Sequence, residues 1–305
     1  MKRLHKLIIF SFLLFTSAYA GEKNFYNKSK SAQIFEVRCG KAIMKISSKG
    51  GRIISYRIGE TEFLTSQSEH ENFGSTLWTA PQSDWGWPPY AVLDSMEYSV
   101  ENIGDIVKMT SKPDYKSGFQ FEKRWRVIGN HSIQISYFIR NISKKTKTVG
   151  AWEVTRVPCG GVAFFPDGGK AKLPESNLKP NQQIEGINWL LINHQPISES
   201  QKLYSTASEG WLAYALNSVL LIKQFPDVRP EDYAPQQGEV EIYINNKKSY
   251  IELENHGSWR SLVPGESQSY VVNWVLVNIP KNVKTQSGNK ALIDFARQQI
   301  HNHKN

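Results

Sequence analysis

The run Tyr250-Ile251-Glu252-Leu253-Glu254-Asn255-His256-Gly257 gathers two carboxylates, a phenol and an imidazole in one short stretch. In a strand, side chains alternate, so Tyr250, Glu252 and Glu254 share one face while Ile251 and Leu253 take the other. Two acids on neighbouring same-face positions resist joint ionisation unless a cation, a donor or a bound hydroxyl stands between them. The chemistry within reach is proton transfer, with Glu254 as general base and Glu252 or His256 as the matching acid. A solvated strand face is the alternative. If the face is a cleft, the register expects Ile251 and Leu253 between two sheets and both acids on the concave, ligand-facing side.

The segment from Trp78 to Tyr90 packs Trp78, Trp85, Trp87 and Tyr90 among Pro81, Pro88 and Pro89, which excludes a regular helix or a central strand there. Aromatic rings on a proline-fixed loop suit the apolar faces of sugar rings, and Asp84 suits their hydroxyls. The competing reading is a satellite hydrophobic cluster. In Val149 to Val157, Trp152, Val154 and Arg156 lie on one face and Glu153 on the other. Glu153, among apolar neighbours, is either an acid of raised pKa or the partner of a base. Arg124, Lys223 and Tyr243 join the candidates for holding substrate, Lys202 and Arg124 also reading as ion-paired surface groups.

These groups need strands to position them. Short runs with period-two alternation recur along the chain, at 33–38, 42–47, 52–58, 61–64, 96–103, 106–111, 119–128, 131–140, 148–157, 211–216, 218–225, 239–244, 249–254 and 268–277, with tight turns between them. Antiparallel pairing follows. Helical spacing occurs only near the end, at Lys290 to Ile300. With no linker or shift of composition, residues 21–305 read as a single β-sandwich domain, crossed by a polar loop from Leu173 to Gln183.

Residues 1–20 have the basic start (Lys2, Arg3, Lys6), apolar run and Ala18-Tyr19-Ala20 ending of a signal peptide cleaved after Ala20, which implies a periplasmic or secreted product. Beyond it, no apolar run is long enough to span a bilayer. Cleavage lowers Lys+Arg from 37 to 34 against 28 acids, leaving a net charge of about +6. Such a surface extends the expected partners to anionic glycans. No basic and aromatic cluster marks a nucleic-acid groove. Cys39 and Cys159 are the only cysteines, their pairing is open, and no Cys or His spacing marks a metal site; no cofactor is expected.

The residues Gly50-Gly51-Arg52-Ile53-Ile54-Ser55-Tyr56, Gly210 to Tyr214, Glu241 to Asn246, and Leu253-Glu254 with Pro264-Gly265-Glu266 together resemble the galactose mutarotase-like, or aldose 1-epimerase, superfamily. Within it, Trp78 to Pro89, Trp152 to Val157 and Tyr250 to Gly257 resemble a branch described only as a domain of unknown function. The resemblance implies an all-β supersandwich whose concave face holds a carbohydrate, with Glu254 at the position of the general base. It also implies a mid-chain His that protonates the ring oxygen, and Trp152 stands about there instead. A carbohydrate-binding protein is therefore the leading expectation. The alternatives are a sugar-active enzyme using Glu254 with Glu252, Glu153 or His256, and an interaction module with a vestigial cleft.

Overall fold

The computed structural model describes residues 32–247 and 249–302. The expected signal peptide lies outside the described residues. From Ala32 onward the strands assemble into two ten-stranded antiparallel sheets. The first runs Ile34–Cys39, Ala42–Ser47, Arg52–Ile58, Ser75–Ala80, Lys147–Val157, Ile251–His256, Val240–Ile244, Gln201–Ser205, with two short flanking strands, Thr61–Glu62 and Arg260–Leu262. The second runs from Gln182–Ile184 through Ile187–Leu191, Val162–Pro166, Trp211–Leu216, Val219–Gln224, Ser267–Asn278, Ser132–Asn141, Phe119–Ile128 and Ile106–Thr110 to Ser99–Ile103. The expected all-β mutarotase-like sandwich with a short C-terminal helix is the fold observed.

The core between the sheets takes one side chain in two from each strand, as period-two patterning requires. Ile251 and Leu253 enter it beside Ile242, Val240, Val157 and Ala151. On the outer face of the second sheet, the helix Lys290–His301 buries Leu292, Ile293, Ala296 and Ile300 against Trp211, Ile222 and Val275. Asn289 caps it by accepting from the Ala291 N–H at 3.1 Å, which satisfies one of the otherwise unpaired donors of the first turn. Among the described residues no helix is long and apolar enough to cross a membrane.

One expectation for the aromatic segment fails. Trp78, Thr79 and Ala80 belong to a central strand, Ser75–Ala80, which pairs with Lys147–Val157 in the register Trp78 to Trp152. The prolines begin only at Pro81, directly after that strand, so they end it without interrupting its ladder. The chain also forms the strands Val162–Pro166, Ile187–Leu191 and Gln201–Ser205, which the alternation in the sequence does not predict. The first is apolar throughout and buried on both faces, so it lacks alternation. Cys39 and Cys159 are both buried, with no disulfide between them.

Candidate functional site

The strand Ile251–His256 sits between Lys147–Val157 and Val240–Ile244, in registers that set Trp152 against His256, Glu254 against both Val154 and Glu241, and Glu252 against both Arg156 and Tyr243. One more strand outward, Lys202 pairs with Tyr243 and Tyr204 with Glu241. All these side chains therefore stand on the face of the first sheet that points away from the core. Glu252 and Glu254 are on that side, as the register expects, but they are not open to solvent: Glu254 is fully buried and Glu252 only 8 % exposed.

Distant segments supply the cover. Trp85 packs on Trp78 and Trp152 with centroid distances of 5.8 and 6.3 Å, and its indole N–H donates to the Thr79 carbonyl. Ala234 and Trp259 join this cluster. At the opposite end His70 lies on the Tyr250 ring at 4.8 Å. Trp78 is fixed from behind, because Asp94 accepts its indole N–H at 2.8 Å while both carboxylate oxygens accept from Arg52 Nη2. That ion pair, led by Arg52, more than offsets burial and keeps the Asp94 carboxyl below its ordinary pKa.

At the centre, Lys202 Nζ reaches Glu241 Oε2 at 2.6 Å and Glu254 Oε2 at 3.1 Å, while the Trp152 indole N–H donates to the same Glu254 oxygen at 2.7 Å. His256 Nε2 stands 3.2 Å from Glu241 Oε1, and its ring stacks on Trp152 at 5.4 Å. Glu241 Oε1 also accepts from the Gly238 N–H. The two carboxylates are driven apart in acidity. Burial raises Glu254, and Glu241 and Glu252 add to this against the pull of Lys202. Burial acts on Glu241 too, but Lys202 and His256 outweigh it and lower its pKa. Lys202, despite burial, is held above the ordinary lysine value by both acids. Beside it, Arg156 Nε donates to Glu252 Oε1 at 2.8 Å, with its guanidinium over the Trp78 ring.

Glu241, Glu254 and His256 offer ligand atoms that all lie within 4.8 Å of one another, the grouping among the described residues with the donor types for a metal ion. The Lys202 ammonium already stands between the two carboxyl groups and compensates one negative charge, so a metal would have to compete with it.

Lys202 is also the way in. Its side chain is 21 % exposed and forms part of the floor of a cavity of about 450 Å³, with Tyr204, Tyr243, Ser200, Asn177 and Glu175 around it. The Tyr243 hydroxyl donates to Ser200 Oγ at 3.0 Å.

Several sequence candidates fall elsewhere. Glu153 and Lys223 point into the core, where Lys223 Nζ meets Glu153 Oε2 at 3.0 Å and donates to Thr155 Oγ1 and the Leu253 carbonyl. Tyr137 and Trp274 donate to the same carboxylate, so the partner-of-a-base reading of Glu153 describes it. Glu153 misses the cleft because it alternates with Trp152, which turns outward, and Lys223 because its strand, Val219–Gln224, belongs to the second sheet. Arg124 lies on the second sheet, paired with Glu122 and over Phe138. Asp84 is exposed on a short helical turn. Trp87 is 58 % exposed and touches the cluster only through the edge of Trp78, at 5.8 Å. Lys202 and Glu241 were not singled out for the site. The available signal was the second alternating pair, Glu241 and Tyr243, two strand positions apart as Glu252 and Glu254 are.

The two-sheet antiparallel sandwich is the fold of solved galactose mutarotase-like proteins. A galactose mutarotase-like protein from Lactobacillus casei superposes with a TM-score of 0.58 at 12 % identity, over 80 % of this chain and 100 % of that one. Another from Clostridium acetobutylicum gives 0.50 at 11 % identity, over 81 % and 99 %. A TPR-domain containing protein from Parabacteroides distasonis gives 0.59 at 14 % identity, over 84 % of this chain and 49 % of that one. Against curated proteins the chain finds no match. Residues 48–277 match one family model, and the chain belongs to that family, the domain of unknown function DUF4380.

Proposed function

We propose that this protein binds carbohydrate in the cavity over Lys202 and does not interconvert sugar anomers. The observation that carries the reading is the state of Glu254. Its Oε2 is occupied by both Trp152 and Lys202, and the residue is fully buried. A general base must come within hydrogen-bond reach of the hydroxyl it deprotonates; here Oε2 is held by Trp152 and Lys202, and Oε1, which has no hydrogen-bond partner, is buried away from the surface. Trp152, for its part, has an indole N–H that donates a hydrogen bond but delivers no proton at neutral pH. The open cavity beside them carries an ammonium, two phenols, two amides, two serine hydroxyls and a carboxylate, a mixture that suits sugar hydroxyls and ring faces. Its size lies in the range of about 300–1,000 Å³ usual for small-ligand sites.

A second reading, a sugar-active enzyme, has one observation in its favour. Glu241 and Glu254 are pushed to opposite sides of the carboxylate range around one lysine, as an acid and base pair would be. Calorimetric titration with a panel of free sugars tests the binding reading. Measurable binding that weakens at least about tenfold in Tyr243→Phe supports it, and no heat with any sugar sinks it. The proposed setting is the periplasm or the exterior, after removal of residues 1–20. Fractionation of expressing cells with mass determination of the product checks that, and an intact N-terminus in the cytoplasm would refute it.

A further inference from the structure

We infer that the ligand is an oligosaccharide lying along a groove with two pockets. This rests on the carbohydrate-binding reading and extends it. A second cavity, of about 850 Å³, is bounded on one side by residues 170–174 and on the other by Tyr233, Ala234 and Gln237. The first cavity is bounded by Glu175, Ser176 and Asn177, so the two share one continuous wall, residues 170–177.

That wall is fastened to the sheet edge at both ends. Asn177 Oδ1 accepts from the Lys202 N–H at 2.7 Å and Ser176 Oγ from the Tyr204 N–H at 2.9 Å. At the other end Thr206 Oγ1 donates to the Gly169 carbonyl at 3.4 Å. The wall therefore follows the edge strand Gln201–Ser205 and carries the groove from one cavity to the next. The floors join as well. Gly238, next to Gln237 of the second cavity, donates to Glu241, which holds Lys202 of the first. A Cβ on Gly238 would come within 2.8 Å of the Ser205 carbonyl, so only glycine lets the loop approach the strand this closely.

The second cavity also has an unmet polar group. Gln237 lines this cavity and is 7 % exposed; its Nε2 donates to the Gln236 carbonyl at 2.9 Å, while its Oε1 is buried with no hydrogen-bond partner. A buried amide oxygen left so is costly unless something donates to it, and a sugar hydroxyl is a donor of the right kind. Gln236 beside it holds φ at 62°, a left-handed conformation uncommon outside glycine and concentrated at binding sites. Each cavity alone is of ligand size, so a ligand that fills both is larger than a single sugar.

The test begins with a glycan array running from single sugars to linear oligosaccharides. The best-binding series is then titrated by calorimetry against wild type, Gln237→Ala and the surface variant Lys172→Glu. The expected result is affinity that rises about tenfold or more from the single sugar to the longer chain, with that gain reduced in either variant. Equal affinity for the single sugar and the chain, or a gain unchanged in both variants, overturns the groove while leaving sugar binding in place. An array on which nothing binds overturns the carbohydrate reading itself and the groove with it.

Discussion

The Trp152 indole N–H donates to Glu254 Oε2 at 2.7 Å, across two strands whose register places Trp152 opposite His256. Trp152→Phe keeps the stack on His256 and removes the donor. The expected loss is roughly 1–3 kcal/mol in urea unfolding, the cost of a buried acceptor left short of a partner. An unchanged midpoint would mean that Lys202 alone satisfies the carboxylate.

Lys202→Met strips the shared cation from Glu241 and Glu254. Breaking a buried pair costs on the order of 3–5 kcal/mol, so the variant should be strongly destabilised at neutral pH. Without the ammonium both carboxyls are easier to protonate, so the gap to wild type should narrow as pH falls. Thermal melts of both proteins across an acid to neutral series check this. A gap independent of pH would show that packing, not charge, is what was lost.

Polarimetry on freshly dissolved α-galactose should show no rate above buffer. Positioned acids or bases each contribute about a hundredfold to ten-thousandfold, so an enzyme would be plain. A rate that vanishes in Glu254→Gln would promote the enzyme reading.

Glu239 is buried at the base of the segment that carries Ala234 onto the aromatic cluster, accepting from the Val228 and Ala207 N–H groups and from Tyr233. Burial, above all, pushes its carboxyl up to about 7, against the two backbone donors. Between the ordinary value of 4.5 and about 7 the folded state therefore holds more protons than the unfolded chain. Its contribution is fully present below about 4.5 and is lost as pH rises through about 7. The melting temperature of wild type should fall over this window relative to Glu239→Gln, by the equivalent of about 1–3 kcal/mol. Parallel curves would discount the shift.

Removing one member of the inter-sheet pair, by Glu153→Gln or Lys223→Met, should cost on the order of 3–5 kcal/mol, and removing both should cost less than the sum. Additive losses in denaturant titrations would argue against direct coupling.

The division of faces was legible in the sequence, because period two assigns Ile251 and Leu253 to one side and the acids to the other whatever the strand pairs with. The covering of the acid face was not. Its cover comes from Trp85 and His70, both far along the chain from Glu254, and from Ala234 in the loop before the neighbouring strand, and no period-two pattern encodes that meeting. Trp152 was found because it alternates with Arg156 in a strand that reads clearly. Lys202 is not legible in the sequence, because a lysine on a short polar strand looks like a surface residue until its two acids are known. Glu153 and Lys223 are ambiguous for the opposite reason: charge among apolar neighbours marks a site and a buried pair alike.

That buried pair has a consequence for how the two sheets find each other. Glu153 comes from the first sheet and Lys223 from the second, and Tyr137, Trp274 and Thr155 complete their hydrogen bonds only in the observed alignment. Greasy side chains tolerate many ways of being laid face to face, since one apolar contact substitutes for another. A lone positive and a lone negative charge do not: shifting either strand by one residue turns its ion outward and strands the other without a counterion. The pair acts as a key cut for one lock, rejecting misaligned sandwiches that the surrounding hydrophobic surface would accept.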